Sequence, residues 1–410
     1  MSARLVALLC CALLAGCVRV NVHGDPGQSM TPPQTLRVAS YNASLYSDDA
    51  GGLLRRLQSA DADARKVAAV LQRVRPDVVL VNEFDYDASG RAADAFQRDY
   101  LDVPQPGGGD PLRYPYRYIA PVNTGVPSGL DLDRSGHVGA DAATPGEDGA
   151  AARGRGNDAW GYGLHPGQYG MLLLSMHPID ADAARTFQQL RWSTMPGAAR
   201  PVDPGTAAPW YDDATWEQLR LSSKSHWDVP VRTPLGTVHV LASHPTPPVF
   251  DGPEDRNGAR NHDEIRLWRE YIGSDDAPWL CDDAGHCGGL AREARFVILG
   301  DLNNDPVDGD GRHEAIIELL EHPRVLRMAT PRSEGAAHAA GADRPDRRGS
   351  VAHATGDFGP RTGPLRLDYA LPSVGFRALD SGVYWPAPGE DGAAIVDGSD
   401  HRLVWIDLTN

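Results

Sequence analysis

Apolar runs and helical periodicity alternate along the chain, and together they predict an α/β protein. The apolar run Leu36 to Tyr41 predicts a strand, and the run Val78 to Asn82 predicts a second, buried strand. Between them, the segment Ala62 to Arg75 places its apolar side chains on one face of a helix. Strand, helix and strand at this spacing form an α/β unit.

The rest of the chain continues this pattern with more strands than helices. Further strands are predicted at residues 169–175, 229–232, 237–243, 296–299, 365–371, 382–385 and 403–408. Further helices are predicted at residues 261–272 and 313–320. The segment 122–168 is rich in Gly, Ala and Asp and has little periodicity, so we expect a loop-rich insertion within one domain over residues 34–410.

The first 33 residues have a different character and predict export. Arg4 and the apolar stretch Leu5 to Leu14 lead to a small-residue site before Cys17, which is typical of a lipoprotein signal peptide over residues 1–16. We expect a lipid on Cys17, a tether over residues 17–33 and anchoring in the cell envelope; ordinary secretion is the alternative. Because Val18 and not Asp follows the cysteine, the outer membrane of a Gram-negative cell is the expected location.

The remaining cysteines fit an oxidising compartment. Cys281 and Cys287 bracket a polar loop, and an even pair in an exported protein predicts a disulfide. A zinc site in which His286 joins the two cysteines is the alternative.

The charge balance argues against one class of partner. The chain carries 55 acidic and 39 basic residues, which gives a formal net charge of −16. Nonspecific nucleic-acid binders depend on dense Lys and Arg, so no broad nucleic-acid-binding surface is expected. The membrane is an expected partner through the lipid, and we expect a monomer.

Polar residues stand at the ends of most predicted strands. The sharpest example is Val297 to Pro306, where an apolar run delivers Asp301 and Asn303 to the end of a buried strand. Residues two apart on a strand point to one side, so the carboxylate and the amide are predicted to converge on one ligand. Gly-Asp-x-Asn is also a common turn sequence, and a turn is the alternative. Polar residues also end or accompany the other strands: Asn42, Glu83, His244, Asp368, Asp400 and His401.

In this order, these residues resemble the endonuclease/exonuclease/phosphatase superfamily of metal-dependent phosphoesterases. The resemblance runs from Arg37 to the C-terminus and implies a four-layered α/β sandwich, with two packed mixed β-sheets flanked by helices. It is carried by these motifs: Ser40-Tyr41-Asn42, Val81-Asn82-Glu83, Tyr169-Gly170-Met171, Ser243-His244-Pro245, Gly300-Asp301-Leu302-Asn303, Arg366-Leu367-Asp368-Tyr369 and Ser399-Asp400-His401.

The resemblance also implies a metal cofactor, Mg²⁺ or Mn²⁺. Glu83 would be the principal carboxylate ligand, with Asn42 and Asp400 nearby. Hard cations of this kind take oxygen ligands and usually keep several waters together with substrate phosphate.

The same resemblance assigns the catalytic roles. Asp301 would orient and deprotonate the attacking water, and Asn303 would hold that water or a phosphoryl oxygen. His401, steadied by Asp368, would donate to the negative charge that develops on the phosphoryl group. His244 would protonate the leaving oxygen or bind the phosphate.

The segment that follows His244 is a candidate for substrate binding. Arg256, Arg260 and His262 lie in it, and arginines are well suited to clamp phosphate. The alternative is a solvated loop that leads into a helix.

The sequence therefore predicts a metal-dependent hydrolase of phosphoester bonds, a phosphodiesterase or phosphatase on small or lipid-borne substrates, that works by in-line attack of an activated water. A secreted endonuclease or exonuclease of the same superfamily is the nearest alternative. A non-catalytic surface-binding lipoprotein is the alternative from another class.

Overall fold

Two mixed β-sheets pack face to face, and helices cover their outer faces. The computed structural model describes residues 34–143 and 147–410. The predictions for the signal peptide, the lipid on Cys17 and the tether lie outside the described residues.

The first sheet has six strands in the order β12-β13-β1-β2-β4-β3. Strands β1 and β2 run parallel, and every other neighbouring pair in this sheet runs antiparallel. The strands of this sheet are β1 (Leu36–Leu45), β2 (Val78–Phe84), β3 (Tyr116–Tyr118), β4 (Met171–Ser175), β12 (Arg377–Val383) and β13 (Val404–Thr409).

The second sheet has five strands in the order β11-β8-β7-β6-β5, and a separate two-stranded ribbon joins β9 to β10. Strands β7 and β8 run parallel within an otherwise antiparallel sheet. These strands are β5 (Arg185–Thr186), β6 (His226–Thr233), β7 (Gly236–Ser243), β8 (Phe296–Asp301), β9 (Gly356–Asp357), β10 (Pro364–Leu365) and β11 (Asp368–Pro372).

Helices lie on the outer face of each sheet. Helices α1 to α3 contribute to a core against the first sheet, and α6 and α7 contribute to a core against the second. The α-helices are α1 (Gly52–Gln58), α2 (Ala62–Val74), α3 (Arg91–Phe96), α4 (Gly149–Asn157), α5 (Asp213–Trp216), α6 (Arg256–Gly273), α7 (Glu314–Leu320) and α8 (Gly359–Thr362).

Strand alternation explains why this sequence forms four layers. In β2, Val78 and Leu80 face the core between the sheets, whereas Val79 and Val81 face the helices. Strands buried on both faces read as continuous apolar runs and not as alternating ones. The predicted four-layered α/β sandwich is therefore confirmed.

Several predicted boundaries were wrong. The predicted strand over 365–371 is two strands, β10 and β11, and the predicted strand at 382–385 is the longer β12. The segment 122–168 contains the short helix α4, whose N-cap Asp148 accepts the N–H groups of Ala150 and Ala151. Helices α1 and α3 were not predicted, because segments of seven and six residues are too short to show a helical periodicity.

The polar loop after α6 is closed by a disulfide between Cys281 and Cys287, so the predicted pairing is confirmed and the zinc alternative is wrong. Within the described residues, no helix combines the length and the apolar character that a bilayer span requires.

Candidate active site

Polar side chains from both sheets meet at one edge of the sandwich. The parallel strands β1 and β2 bring Asn42 and Glu83 to their carboxyl ends. The parallel strands β7 and β8 bring His244 and Asp301 to the corresponding ends in the second sheet. Strand β11 runs antiparallel to β8 and pairs Asp368 with Asp301. Residues far apart in the sequence thereby share one small volume.

The carboxylate of Asp301 lies at the centre of this group and is only 1% exposed. Its Oδ2 accepts a hydrogen bond of 3.0 Å from the Asn42 amide and lies 3.4 Å from His244 Nε2 and 3.7 Å from His401 Nε2. Burial by itself would raise the pKa of Asp301, but the His401 charge and the bonds from His244 and Asn42 lower it below its ordinary range. Asp301 is therefore ionised at neutral pH.

Asn303 does not lie on a strand, so the predicted alternation is wrong. Strand β8 ends at Asp301, and Asn303 adopts a left-handed conformation with φ of 53°. Its N–H donates to Asp301 Oδ1 at 2.9 Å, and its side-chain amide donates to the Pro245 carbonyl at 3.1 Å. An Asx turn at the strand end thus brings the amide beside the carboxylate.

Buried Asn82 joins the two sheets behind the site. Its Oδ1 accepts the N–H of Asp301 at 3.2 Å, and its Nδ2 donates to the Ser243 carbonyl at 3.3 Å. A buried amide in an apolar strand is costly unless it is paired, and here it links β2 to β7 and β8. Asn82 is therefore a positioning residue that the sequence analysis quoted in a motif but did not assign.

His401 lies just before β13 and forms a pair with Asp368. The His401 Nδ1 lies 2.8 Å from Asp368 Oδ2, which also accepts a 2.8 Å hydrogen bond from Thr355 Oγ1. The Thr355 hydroxyl in turn accepts the N–H groups of Leu367 and Asp368. This network fixes the orientation of the imidazole and leaves Nε2 directed toward Asp301.

The two neighbouring carboxylates make His401 a cation. Burial by itself would lower the pKa of His401, but Asp368 and Asp301 raise it well above its ordinary value. Burial raises the pKa of Asp368 to about 6, and the His401 charge opposes this rise. At neutral pH the proton therefore resides on the imidazole and not on the carboxylate.

His244 is neutral at the same pH. Burial, together with the ammonium group of Lys224, lowers the pKa of His244 to about 4. Within the described part of the chain, the buried Nδ1 of His244 has no hydrogen-bond partner. Of the two predicted roles of His244, these surroundings favour phosphate binding over donation of a proton from an imidazolium.

Glu83 is the carboxylate that the protein compensates least. Its side chain is 20% exposed and has His244 Nε2 4.0 Å away. Burial raises the pKa of Glu83 to about 7, despite the opposing His401 charge and the Asn42 amide. Its φ of 58° is unfavourable for a residue with a Cβ by about 1–2 kcal/mol. An uncompensated carboxylate on a strained backbone fits a residue that binds a cation.

The other two predicted metal ligands are Asn42 and Asp400. Asn42 donates its Nδ2 to Asp301, and its Oδ1 accepts the N–H of Ser44 at 3.2 Å. Asp400 is exposed and accepts the Ser44 hydroxyl at 3.1 Å. Carboxylate and amide oxygens suit a hard divalent cation, so the donor chemistry fits the predicted cofactor.

Acidic groups that could hold a metal also occur elsewhere in the structure. Asp301, Asp368 and His401 place ligand atoms within 4.8 Å of one another, but a protonated His401 offers no lone pair to a metal. A further group lies in the insertion, where the carboxylates accept N–H groups of their own loops: Asp131, Asp133 and Asp158.

Lys224 is a site residue that the sequence analysis missed. It precedes β6, is 6% exposed and makes no hydrogen bond or ion pair from its ammonium group among the described residues. Burial lowers the pKa of Lys224, and the carboxylates of Glu264, Glu83 and Asp301 oppose this. The surrounding Ser-Ser-Lys-Ser sequence gave no signal, because it reads as an ordinary polar turn.

The three predicted substrate-binding residues lie on α6. Arg260 donates to the backbone carbonyls of Leu221, Trp160 and Arg220, so its guanidinium is occupied within the fold. These contacts give Arg260 a structural role.

The other two residues of this set are also paired. Arg256 forms an ion pair with Glu254, and His262 Nδ1 lies 2.9 Å from Asp263 Oδ1. A substrate role for Arg256, Arg260 or His262 stays a prediction.

The pairing of His401 with Asp368 gives a direct spectroscopic prediction. In Asp368→Asn, the loss of the carboxylate should lower the pKa of His401 by about 1 unit or more, because a neutral amide no longer stabilises the cation. The measurement is an NMR titration of the imidazole in EDTA-treated protein, with His401→Asn to assign the signal. The exposed Asp380→Asn on β12 should leave this pKa unchanged; an unchanged pKa in Asp368→Asn would contradict the pairing.

The chain is similar to three solved structures and to one family model. An endonuclease/exonuclease/phosphatase from Beutenbergia cavernae is 18% identical, and the match covers 92% of this chain and 71% of that chain with a TM-score of 0.46. Sphingomyelinase C from Streptomyces griseocarneus is 16% identical, and the match covers 92% of this chain and 100% of that chain with a TM-score of 0.42. A magnesium-bound beta toxin from Staphylococcus aureus is 13% identical, and the match covers 91% of this chain and 99% of that chain with a TM-score of 0.40. No curated protein matches the chain. The model of the endonuclease/exonuclease/phosphatase family matches residues 39–401, which include every predicted catalytic and metal-binding residue. The chain belongs to the endonuclease/exonuclease/phosphatase family.

Proposed function

We propose that this protein is a Mg²⁺- or Mn²⁺-dependent hydrolase of phosphoester bonds, acting on small or lipid-borne substrates. The family is hydrolytic and acts on phosphoesters. The observation that carries the proposal is the convergence at Asp301 Oδ2, with Asn42 at 3.0 Å, His244 at 3.4 Å and His401 at 3.7 Å. Buried acid and base groups with opposed pKa shifts are typical of a catalytic site.

Glu83 would hold the metal ion, with Asn42 and Asp400 contributing oxygen atoms. When bound, the ion supplies positive charge to the phosphoryl oxygens. The raised pKa of Glu83 supports this role, because no cationic side chain among residues 34–143 and 147–410 is bonded to this carboxylate. The chemistry of the site does not distinguish Mg²⁺ from Mn²⁺, since both take oxygen ligands.

Asp301 would orient the attacking water. Its lowered pKa keeps it ionised, so it is always available to accept a hydrogen bond from that water. Asn303, fixed by its bond to the Pro245 carbonyl, would limit the positions that the water or a phosphoryl oxygen can take.

Cationic groups would stabilise the charge that develops during attack. His401 is held in place by Asp368 through Nδ1, so its Nε2–H, which is directed toward Asp301, would be able to donate to the phosphoryl group. Lys224 is buried near the catalytic carboxylates, and a phosphoryl group would give it the anionic partner that it lacks. His244 would donate a hydrogen bond to the phosphate or to the leaving oxygen.

Activity assays with a substrate panel test this proposal. The panel contains bis-nitrophenyl phosphate, sphingomyelin, inositol phosphates, plasmid DNA and RNA, each with Mg²⁺ or Mn²⁺. Asp301→Asn should lower kcat by about 10²- to 10⁴-fold, because the water loses its acceptor. Glu83→Gln should raise the metal concentration for half-maximal activity by about 10-fold or more.

The exposed Glu217→Gln is the matched control and should behave like the wild type. Hydrolysis that survives EDTA, or that persists in Asp301→Asn, would contradict the mechanism. Preference for DNA or RNA would favour the nuclease alternative, and binding without hydrolysis across the panel would favour the non-catalytic one.

We also propose that the protein is exported and anchored through a lipid on Cys17. The Leu-Ala-Gly-Cys sequence at residues 14–17 supports this, and so does the disulfide between Cys281 and Cys287, because disulfides form mainly in oxidising compartments. An anchored enzyme would meet substrates at the membrane surface.

Replacement of the lipidated residue tests the anchor. Wild-type protein expressed in a Gram-negative host should sediment with membranes and take up labelled fatty acid, whereas Cys17→Ser should do neither. Cys10→Ser is the matched control and should leave both properties unchanged. Equal membrane association and labelling of Cys17→Ser and wild type would contradict the proposal.

A further inference from the structure

A cavity of about 260 Å³ lies between the loop after β8 and the segment before β11. A water molecule occupies about 30 Å³ in the liquid, so this space is large enough for a hydrated phosphoryl group. The cavity is rich in arginine, and its lining residues are Asp308, Gly309, Asp310, Arg344, Asp346, Arg347, Arg348, Arg361, Thr362 and Leu365.

The cavity adjoins the edge of the sheet that carries the candidate active site. Strand β8 ends at Asp301, and β11 begins at Asp368, its antiparallel partner. The chain that leaves β8 and the chain that enters β11 therefore extend from the same edge. These two segments form the walls of the cavity.

One wall is also tied to His401. The backbone of Gly356 in β9 bridges to His401, and the ring of Phe358 lies edge-on to the imidazole at 5.2 Å. Arg361 follows Phe358 by three residues, and consecutive Cα atoms are about 3.8 Å apart, so their Cα atoms are separated by no more than about 11 Å. Arg361 is therefore carried by the same short segment whose Phe358 ring contacts His401.

Some of the charges in the cavity already have partners. Arg344 binds Asp346 through two nitrogen atoms. Asp308 accepts the N–H groups of Arg348 and Gly349 at 2.9 Å and lies 3.5 Å from Arg347 Nη1. These contacts hold the two segments that line the cavity, and other guanidinium N–H groups remain without an acceptor among the described residues.

The unused donors belong to arginines and lie on both walls. Arg361 is exposed, and its guanidinium makes no hydrogen bond or ion pair within the described ranges. Arg348 donates from one terminal nitrogen to the Val307 carbonyl at 2.7 Å, and its remaining guanidinium donors have no acceptor among the described residues. Arg347 Nε is buried and has no partner in the described part of the chain. Of the three carboxylates that line the cavity, Asp310 is the one without a partner among the described residues, so its negative charge would repel a bound anion.

The geometry points to an anion subsite in this cavity that binds a second phosphate group of the substrate, separate from the phosphate that is hydrolysed. Arg361 and Arg348 form the subsite, with Arg347 beneath them, since guanidinium groups match phosphate oxygens in geometry and charge. The link to catalysis rests on the proposed function, whereas the binding of phosphate does not. The favoured substrates are therefore phosphoesters with an additional phosphate.

A binding experiment tests the subsite without any catalysis. Inorganic phosphate is titrated by calorimetry into EDTA-treated Asp301→Asn protein, which keeps the cavity intact. In the Arg348→Gln/Arg361→Gln double variant of this protein, the Kd should rise by about 10-fold or more, because charge-assisted hydrogen bonds are lost. Asp310→Asn should instead tighten binding, since it removes the opposing charge.

Matched controls separate this effect from general charge and from unfolding. Arg377→Gln removes a positive charge from the exposed start of β12, at the far end of the other sheet, and should leave the Kd unchanged. Thermal unfolding should show that every variant is folded. An unchanged Kd in the folded double variant would overturn the subsite.

A kinetic experiment tests its role in substrate choice. The p-nitrophenyl ester of thymidine 5′-phosphate is compared with the same ester that carries an additional 3′-phosphate. The wild type should show a lower KM for the second compound, and the double variant should lose this preference while its kcat/KM for the first compound is retained. Equal loss for both compounds, or no preference in the wild type, would overturn the substrate role.

The binding experiment and the activity assays distinguish a failure of the subsite from a failure of the proposed function. If the protein hydrolyses no phosphoester but phosphate binding depends on Arg348 and Arg361, the proposed function fails and the anion site stands. If hydrolysis depends on Asp301 but phosphate binding ignores both arginines, the proposed function stands and the subsite fails.

Discussion

A carboxylate that has almost no contact with water must be compensated by its neighbours, and Asp301 imposes this constraint on both sheets. Its oxygen atoms meet the Asn42 amide, the N–H of Asn303 and the imidazoles of His244 and His401. These groups come from both sheets, so the charge can be satisfied only when the sheets are packed in the observed alignment. Catalytic geometry and sheet packing therefore depend on each other.

The charges at the site are compensated to different degrees, so neighbouring groups of the same type differ in their protonation state. Asp368 and Asp301 make His401 a cation in spite of its burial, whereas burial and the ammonium group of Lys224 keep His244 neutral. Asp301 is ionised and Glu83 has a pKa raised to about 7, although both lie at the same edge. Glu83 is thus the residue that gains most from a bound cation.

The sequence was most informative where local patterns determine structure. Apolar runs predicted the buried strands, and the polar residues at their ends marked Asn42, Glu83 and Asp301 as candidates. That these candidates share one site was implied by the resemblance to a family. The four layers came from the resemblance to a family and not from these patterns, because an apolar run does not reveal which sheet its strand joins.

Other features depend on contacts that a linear pattern does not contain. Thr355 lies in an irregular segment and reaches Asp368 only through the fold, and Lys224 becomes a site residue only because burial removes it from water. At Asn303 the choice between a strand end and a turn stayed open, because side-chain alternation says nothing about φ, which is 53° there. The backbone carbonyls that accept the guanidinium of Arg260 are likewise distant in the sequence, so no linear pattern could indicate these contacts.

The charge state of Asp301 is the most direct test of whether its neighbours compensate the buried carboxylate. In EDTA-treated protein labelled with ¹³C at aspartate side chains, Asp301→Asn identifies the carboxyl signal, and the titration follows it over the pH range in which the other signals show a folded protein. We expect this carboxyl to stay ionised well below the ordinary aspartate pKa of about 3.9, and we expect His401→Asn to raise its pKa. A pKa at or above the ordinary value that His401→Asn leaves unchanged would show that the imidazole does not compensate the buried charge.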